Sequence, residues 1–399
     1  MNRRILFVDD DSMVLSGLQR SLRSMRDQWE MQFVTGGQQA VDAMARAPFD
    51  VVISDMRMPG MDGAELLERV KMQFPQTVRM VLSGQSDRDS IFRLTKTTHQ
   101  YFSKPCDVEE LKEKLIRALA LRDVLDNPKL KQWVSQVETV PSLPSLSRSL
   151  RDLLQSPTAS LDAAADIVTQ DMGMTAKLLQ LVNSAFLGVA RRESDPKQAV
   201  SIIGIENLKA LVVLNLFSEL PLFLGEEMQS LWTHCRVTAR FSQAIARAEG
   251  LAEEAAQDAF TSGLLHDIGQ LVLASTCGEE YGAAIRLAVA ERCPLVDGEQ
   301  GVFGTTHAQV GAYLLGLWGL PDSVVEAVAW HHAPMQARPQ NFSPLIAVHV
   351  ADFLEQQLRP CPSSFGHDVL DPSLPASFAI ADRLPAWKSK CQELDERGG

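Results

Sequence analysis

The stretch Gly263-Leu264-Leu265-His266-Asp267-Ile268-Gly269-Gln270 decides how the second half of this 399-residue chain is read. Around it Phe260, Leu264, Leu265, Ile268, Leu271 and Val272 recur at helical spacing, which predicts one buried helix over Ala255 to Ala274. A His-Asp pair on such a face is costly, because a buried carboxylate needs a partner. A divalent metal takes an imidazole and a carboxylate together. Backbone groups and neighbouring side chains could satisfy them as well. The remaining histidines bear on the choice.

Outward from that stretch, Ser142 to about Gln357 has helical periodicity throughout. Setting aside His99 and His367, six histidines fall here: His234, His266, His307, His331, His332 and His349. His234 sits on the apolar side of its helix, and Asp352 lies in the apolar run Val348-His349-Val350-Ala351-Asp352-Phe353-Leu354. Leaving out His349 as structural, five imidazoles and the carboxylates of Asp267 and Asp352 supply ligands for two metals, with Asp267 able to bridge. Two blander readings compete: His307 as a helix cap after two threonines, and His331-His332 as an exposed helix end favoured by the C-terminal dipole.

The first 122 residues read differently. Apolar runs at Ile5–Val8, Met31–Val34, Val51–Ser54, Val78–Leu82 and Tyr101-Phe102 alternate with amphipathic stretches at Ser12–Met25, Gln38–Ala45, Gly63–Gln73 and Asp107–Leu121. This is a βα repeat, hence a five-stranded parallel, doubly wound sheet whose working residues stand at the carboxyl ends of strands. Those positions hold Asp9, Asp10, Asp55, Ser83 and Lys104. Three carboxylates at one edge repel, and Mg²⁺ relieves the repulsion through oxygen ligands. Asp55 is placed as a carboxylate nucleophile toward a phosphoryl group, with the Ser83 hydroxyl and the Lys104 ammonium available to the phosphoryl oxygens.

Composition narrows the classes. The formal net charge of -12 argues against coating nucleic acid, and no basic recognition helix is evident, so no DNA partner is expected. Six scattered cysteines without a CxxC fit a reduced cytosol. Apolar runs such as Ala210 to Leu214 are too short to span a membrane, and the first residues run directly into a strand. A cytoplasmic protein is expected. The segment 123–141 reads as a helical connector broken at Pro128, and the Pro/Ser-rich tail 358–399 as partly disordered with a short helix near Pro385 to Glu396.

Residues 1–122 resemble the response-regulator receiver domain. The resemblance rests on Val8-Asp9-Asp10, Ser54-Asp55-Met56-Arg57-Met58-Pro59-Gly60-Met61-Asp62-Gly63, Ser83-Gly84 and Tyr101-Phe102-Ser103-Lys104-Pro105. It implies Asp55 as phosphoacceptor, Mg²⁺ held by Asp9, Asp10, Asp55 and the Arg57 carbonyl, Ser83 and Tyr101 as a switch pair, and a partner histidine kinase. Residues 142–357 resemble the HDOD domain, a relative of the HD and HD-GYP phosphohydrolases. Here the carriers are Leu143-Pro144-Ser145-Leu146, the runs Ala176–Ala185 and Ala199–Gly204, Leu264–Gly269, and Phe303–Leu315 running on to His331-His332. By that resemblance His234, His266, Asp267 and Asp352 hold one metal and His307, His331 and His332 the second, with Asp267 shared. Iron, manganese or another divalent ion would serve. Two departures stand out: Gln270 where HD-GYP enzymes carry lysine, and Ala333-Pro334-Met335-Gln336 in place of Gly-Tyr-Pro. Two functions are therefore expected to compete. One is a phosphorelay regulator acting on an unidentified downstream protein. The other is a receiver-gated phosphodiesterase for a cyclic dinucleotide. A homodimer through the receiver or connector is compatible with either.

Overall fold

The computed structural model describes residues 3–83, 97–104, 107–121, 125, 127–156, 158–184, 192–213, 225–360, 370–372, 374, 378 and 380–398. Gly84, Pro105, Ala185 and the end of the helix expected over Glu206 to Phe217 lie outside these residues, as does the Ser83 side chain. The chain divides into two compact units. One comprises 1–138 with 180–192 and 316–319, and the other 139–179, 193–315 and 320–399.

In the first unit, β1 (Arg3–Val8), β2 (Trp29–Val34), β3 (Val51–Asp55), β4 (Val78–Ser83) and β5 (Gln100–Ser103) form a sheet in the order β2-β1-β3-β4-β5. All four pairings are parallel. The strand order reverses beside β1, which opens a crevice at the carboxyl ends of β1 and β3. Strand β3 is buried along its length, as a continuous apolar run covered on both faces should be. Helices α1 (Ser12–Ser21), α2 (Gly37–Arg46), α3 (Gly63–Gln73) and α4 (Val108–Leu121) complete the expected alternation. One core unites Leu6, Val8 and Val52 with Leu66, Leu67 and Val70 of α3. Helix α1 is shorter than its periodicity suggests: Leu22 closes it and one 3-10 turn, Arg23–Met25, follows.

Pro128 opens a helix rather than breaking one. In α5 (Pro128–Ser135) it occupies the first turn, where a missing N–H costs nothing, and the Asn127 side chain accepts from the Lys129 and Leu130 amides. The buried Arg79 guanidinium donates to the Ser135 carbonyl at 2.6 Å and to that of Thr97 at 2.6 Å, fastening α5 to β4.

After α5 the chain is helical, with α6 (Pro144–Gln155), α7 (Leu161–Val168), α8 (Met172–Val182), α9 (Pro196–Ile203), α10 (Ile205–Val213), α11 (Gly225–Ala248), α12 (Glu253–Leu265), α13 (Ile268–Thr276), α14 (Gly278–Glu291), α15 (Leu295–Phe303), α16 (His307–Leu317), α17 (Asp322–Trp330), α18 (Pro344–Leu358) and α19 (Ile380–Gly398), all but the last residues of α8 and α16 belonging to the second unit. Three differences from the sequence reading matter. The single helix expected over 255–274 is two, interrupted at His266-Asp267. Helix α15 was not foreseen. The tail is not a loose appendage over 380–398: Trp387 and Cys391 are buried with Phe378 among Phe241, Ile245 and Leu354 of α11 and α18. The short helix expected near Pro385 to Glu396 is there but longer, and Leu384, Trp387, Cys391 and Leu394 recur on it at helical spacing inside a polar sequence.

Candidate functional sites

At the sheet's carboxyl edge, Asp9 and Asp55 are buried and Asp10 is exposed, each offering a carboxylate oxygen within 4.8 Å of the others. Lys104 closes the group, its ammonium 2.7 Å from Asp9 Oδ2 and paired with Asp55. Burial pushes the Asp55 carboxyl above the usual carboxylate range, Asp9 adds to that, and Lys104 and the Arg57 amide pull against it. The Arg57 N–H donates to Asp55 Oδ2 at 2.9 Å while its side chain is exposed, so backbone rather than side chain serves the site. Gly63 is required by proximity: a Cβ there would lie 2.1 Å from the Asp55 carbonyl oxygen, which seats the start of α3 directly on the end of β3. Tyr101 is buried, 1% exposed, and belongs to the apolar core. Ser83 ends β4 in register with Ser103.

In the helical unit all seven expected ligands converge. His234 comes from α11, His266 and Asp267 from the break between α12 and α13, His307 from the first turn of α16, His331 and His332 from the end of α17, and Asp352 from α18. The break has a geometric reason. Neighbouring residues on a continuous helix point about 100° apart, so His266 and Asp267 can share a target only where the axis turns. Gly269 permits α13 to meet α16 there, since a Cβ would lie 1.9 Å from the His307 carbonyl oxygen.

Two ligand groups result, His234 with His266 and Asp352, and Asp267 with His307, His331 and His332. Asp267 joins them: its Oδ2 lies 3.5 Å from His266 Nε2 and 3.7 Å from His234 Nε2, and its Oδ1 3.0 Å from His307 Nε2. The outer ring nitrogens of four of these histidines are engaged elsewhere. Nδ1 of His234 faces Glu355, that of His307 faces Glu299, and those of His266 and His331 face the carbonyls of Gly263 and Val328, each at 2.8 Å. Each acceptor holds a proton on Nδ1, so Nε2 is the atom aimed inward and, once deprotonated, the one that can offer a lone pair to a metal. Nε2 of His234 lies 3.0 Å from that of His266, and Nε2 of His307 lies 3.0 Å from that of His332. Ligands bound at about 2.1 Å and a right angle to one another are separated by about 3.0 Å. His331 Nε2 is buried without a hydrogen bond, Asp267 Oδ1 standing 3.7 Å off. The donor set therefore fits a pair of divalent ions.

The electrostatics agree. Burial alone would lower both His234 and His307, but Glu355, Asp352 and Asp267 raise His234 to about 9, while Glu299 and Asp267 raise His307 to about 10. His266, with burial outweighing Asp267, falls to about 4. Burial would raise Asp267, yet the surrounding imidazoles hold it well below the carboxylate range.

Comparison with known proteins follows the same division. Residues 5–116 match the model of the response regulator receiver domain, and residues 140–334 match that of the HDOD domain. The chain carries a receiver domain and an HDOD domain. Among curated relatives, an uncharacterized protein of Treponema pallidum is 27% identical over 53% of this chain and 41% of its own length. The DNA-binding transcriptional regulator NtrC of Escherichia coli K12 is 32% identical over 30% of this chain and 26% of its own. The chain spans less than half the length of these relatives. Among solved structures, the signal receiver domain of an HD domain-containing protein from Pseudomonas fluorescens Pf-5 is 34% identical, covering 30% of this chain and 96% of that one, with a TM-score of 0.29. No helix of the described residues is long and apolar enough to cross a membrane.

Within the HDOD domain the two carboxylates that orient ligand histidines, Glu299 and Glu355, escaped the sequence reading. Glu299 lies on the unforeseen helix α15 and is fully buried, and it also accepts the His307 backbone N–H at 2.8 Å. Glu355 follows Asp352 by three residues on α18, a spacing that puts both on one face and could have flagged it. The capping and exposed-end readings give way for His307 and His331, which are 1% and 0% exposed. His349 is structural as expected, its Nδ1 bonded to the His331 carbonyl at 2.7 Å. Gln270 is neutral and accepts from the Tyr281 hydroxyl at 3.0 Å.

Proposed function

We propose that this chain is a cytoplasmic phosphorelay response regulator in which Asp55 takes a phosphoryl group from a histidine kinase and the HDOD domain, holding a dinuclear metal centre, transmits the change to a protein partner. The observation that carries the first half is the Asp9–Asp55–Lys104 group at the sheet's crevice. Asp9, Asp10 and Asp55 would hold Mg²⁺, which draws charge from the transferring phosphoryl group. Asp55 Oδ supplies the attacking carboxylate, and Lys104, displaced from its acids, meets the phosphoryl oxygens. Ser83 and Tyr101 would read the new charge as a switch pair.

The inward Nε2 lone pairs and the shared Asp267 support a centre in which His234, His266 and Asp352 hold one ion and His307, His331 and His332 the other. An interaction output is favoured because Gln270 offers no ammonium to a phosphate. A second reading, phosphodiester hydrolysis of a cyclic dinucleotide, is supported by the position of Asp267 between both ligand groups. Bound there, a metal pair would supply an activated water.

Incubating the full chain with radiolabelled acetyl phosphate and Mg²⁺ tests the receiver, with incorporation of about one phosphoryl per chain expected. Elemental analysis of protein purified without chelator tests the centre, with two divalent ions per chain expected. Cyclic di-GMP turnover by the loaded protein would move the balance to the second reading.

A further inference from the structure

The helix that carries His234 has a second working face. Arg236, Arg240, Gln243 and Arg247 recur along α11 at helical spacing, on a stripe that begins about 200° around the axis from His234. They line an open cleft of about 550 Å³, together with Gln170, Asp195, Lys197, Gln257 and Phe260. The stripe thus faces away from the metal ligands and builds a separate site within the helical unit.

Its charges are unevenly matched. At the exposed rim Lys197 pairs with Asp166 at 3.0 Å and Arg247 pairs with Glu253. Deeper, Arg236 donates to the Gln170 side-chain oxygen at 3.2 Å and Arg240 to the Leu394 carbonyl at 2.6 Å, and among the described residues neither forms an ion pair. The Asp195 carboxylate is committed, one oxygen capping α9 through the Lys197 amide at 2.8 Å and the other accepting from Gln257 at 3.1 Å. Two guanidiniums one helical turn apart therefore line the cleft without an ion-pair partner among the described residues. Each has five N–H donors and uses one, leaving forks that match phosphate oxygens.

We propose that this cavity binds a nucleotide, its phosphates on Arg236 and Arg240 and its base against Phe260. The volume is that of a small-molecule site. Phe260, partly buried, gives an aromatic face on which a base can stack. Gln243 and Gln257, bonded to one another at 2.7 Å, keep further donors and acceptors for a base edge. The site would make the HDOD domain a second sensory input, independent of Asp55 and of the metal centre.

The test is calorimetric titration of the full chain with GTP, ATP and inorganic phosphate in chelator-containing buffer, which keeps nucleotide-bound metal out of the measurement. Saturable binding of at least one nucleotide is expected. Arg236→Gln should weaken it at least about tenfold, the scale of one lost charge-assisted contact, and the Arg236→Gln/Arg240→Gln pair should weaken it further. Because Arg240 also holds the tail helix, the single Arg236 variant keeps the result readable if the pair misfolds. Phe260→Leu should weaken nucleotide binding and leave inorganic phosphate unaffected. The proposal fails if neither nucleotide saturates at millimolar concentration, if Arg236→Gln binds as wild type does, or if inorganic phosphate binds as tightly as either nucleotide.

Discussion

The two sites solve the same electrostatic problem in opposite ways. In the receiver, Asp9 and Asp55 pair with a side chain, Lys104, at the carboxyl end of the sheet, so their charge is balanced from within the protein. In the HDOD domain, residues from α11, the α12–α13 break, α16, α17 and α18 converge where no lysine or arginine reaches among the described contacts, and the only cations available are the imidazoles themselves. A pocket balanced by its own lysine can exchange partners quickly. In the helical centre the protonated His234 and His307 can donate from Nε2 across 3.0 Å to the facing imidazoles, and a bound metal pair would have to displace those protons.

The sharpest way to break this contrast is Asp55→Ala. Labelling by acetyl phosphate should vanish while bound metal in the HDOD domain stays at wild-type level; persistent labelling would refute the phosphoacceptor assignment. The mirror experiment is His266→Ala, which removes a ligand from the first group. Metal content should fall by at least one ion per chain with phosphoryl labelling intact, and an unchanged stoichiometry would make these histidines structural. A smaller effect is expected from Glu299→Gln, which preserves every ligand but weakens the acceptor at His307 Nδ1. Competition against a chelator should report affinity lowered about 10- to 100-fold at the second group, whereas equal affinity would reduce Glu299 to a packing role.

The mildest test is pH. In the metal-free domain His234 and His307 are raised to about 9 and about 10, so both are protonated at neutral pH, while His266 at about 4 is not. Metal binding near pH 7 should thus release about two protons, measurable as buffer-dependent heat, and affinity should climb as pH approaches 9. The sign for metal-free stability is opposite. Histidines raised above their unfolded value of about 6.5 contribute fully below it and lose that contribution as pH rises through about 9 to 10. Melting temperature of the chelated protein should fall across that window. A pH-independent affinity would show that the cluster binds nothing through these nitrogens.

Legibility from sequence differed between the two sites for physical reasons. The receiver's candidate site residues sit at strand ends, and strand ends follow from alternating apolar runs, so Asp9, Asp55 and Lys104 could be placed by pattern alone. The histidines of the HDOD domain were recognisable as a set, but their convergence depends on a kink that periodicity cannot register. Apolar spacing runs unbroken from Phe260 to Val272, and only the clash at Gly269 and the orientation of two adjacent ligands reveal that the axis turns. Glu299 was invisible because α15, with Gly298 and Gly301 within nine residues, lacks a helix former's signature. The tail helix was expected near Pro385 to Glu396 and is present, but the prolines and serines around it hid its greater length and the four apolar residues that pack it.

That last helix has a practical side. Cutting the chain at residue 357, the expected end of the helical region, would remove Trp387 and Cys391 from the groove they fill and leave Phe241, Ile245 and Leu354 facing water. Such a fragment would clump in solution, and its failure would be blamed on the domain when the fault lay with the scissors.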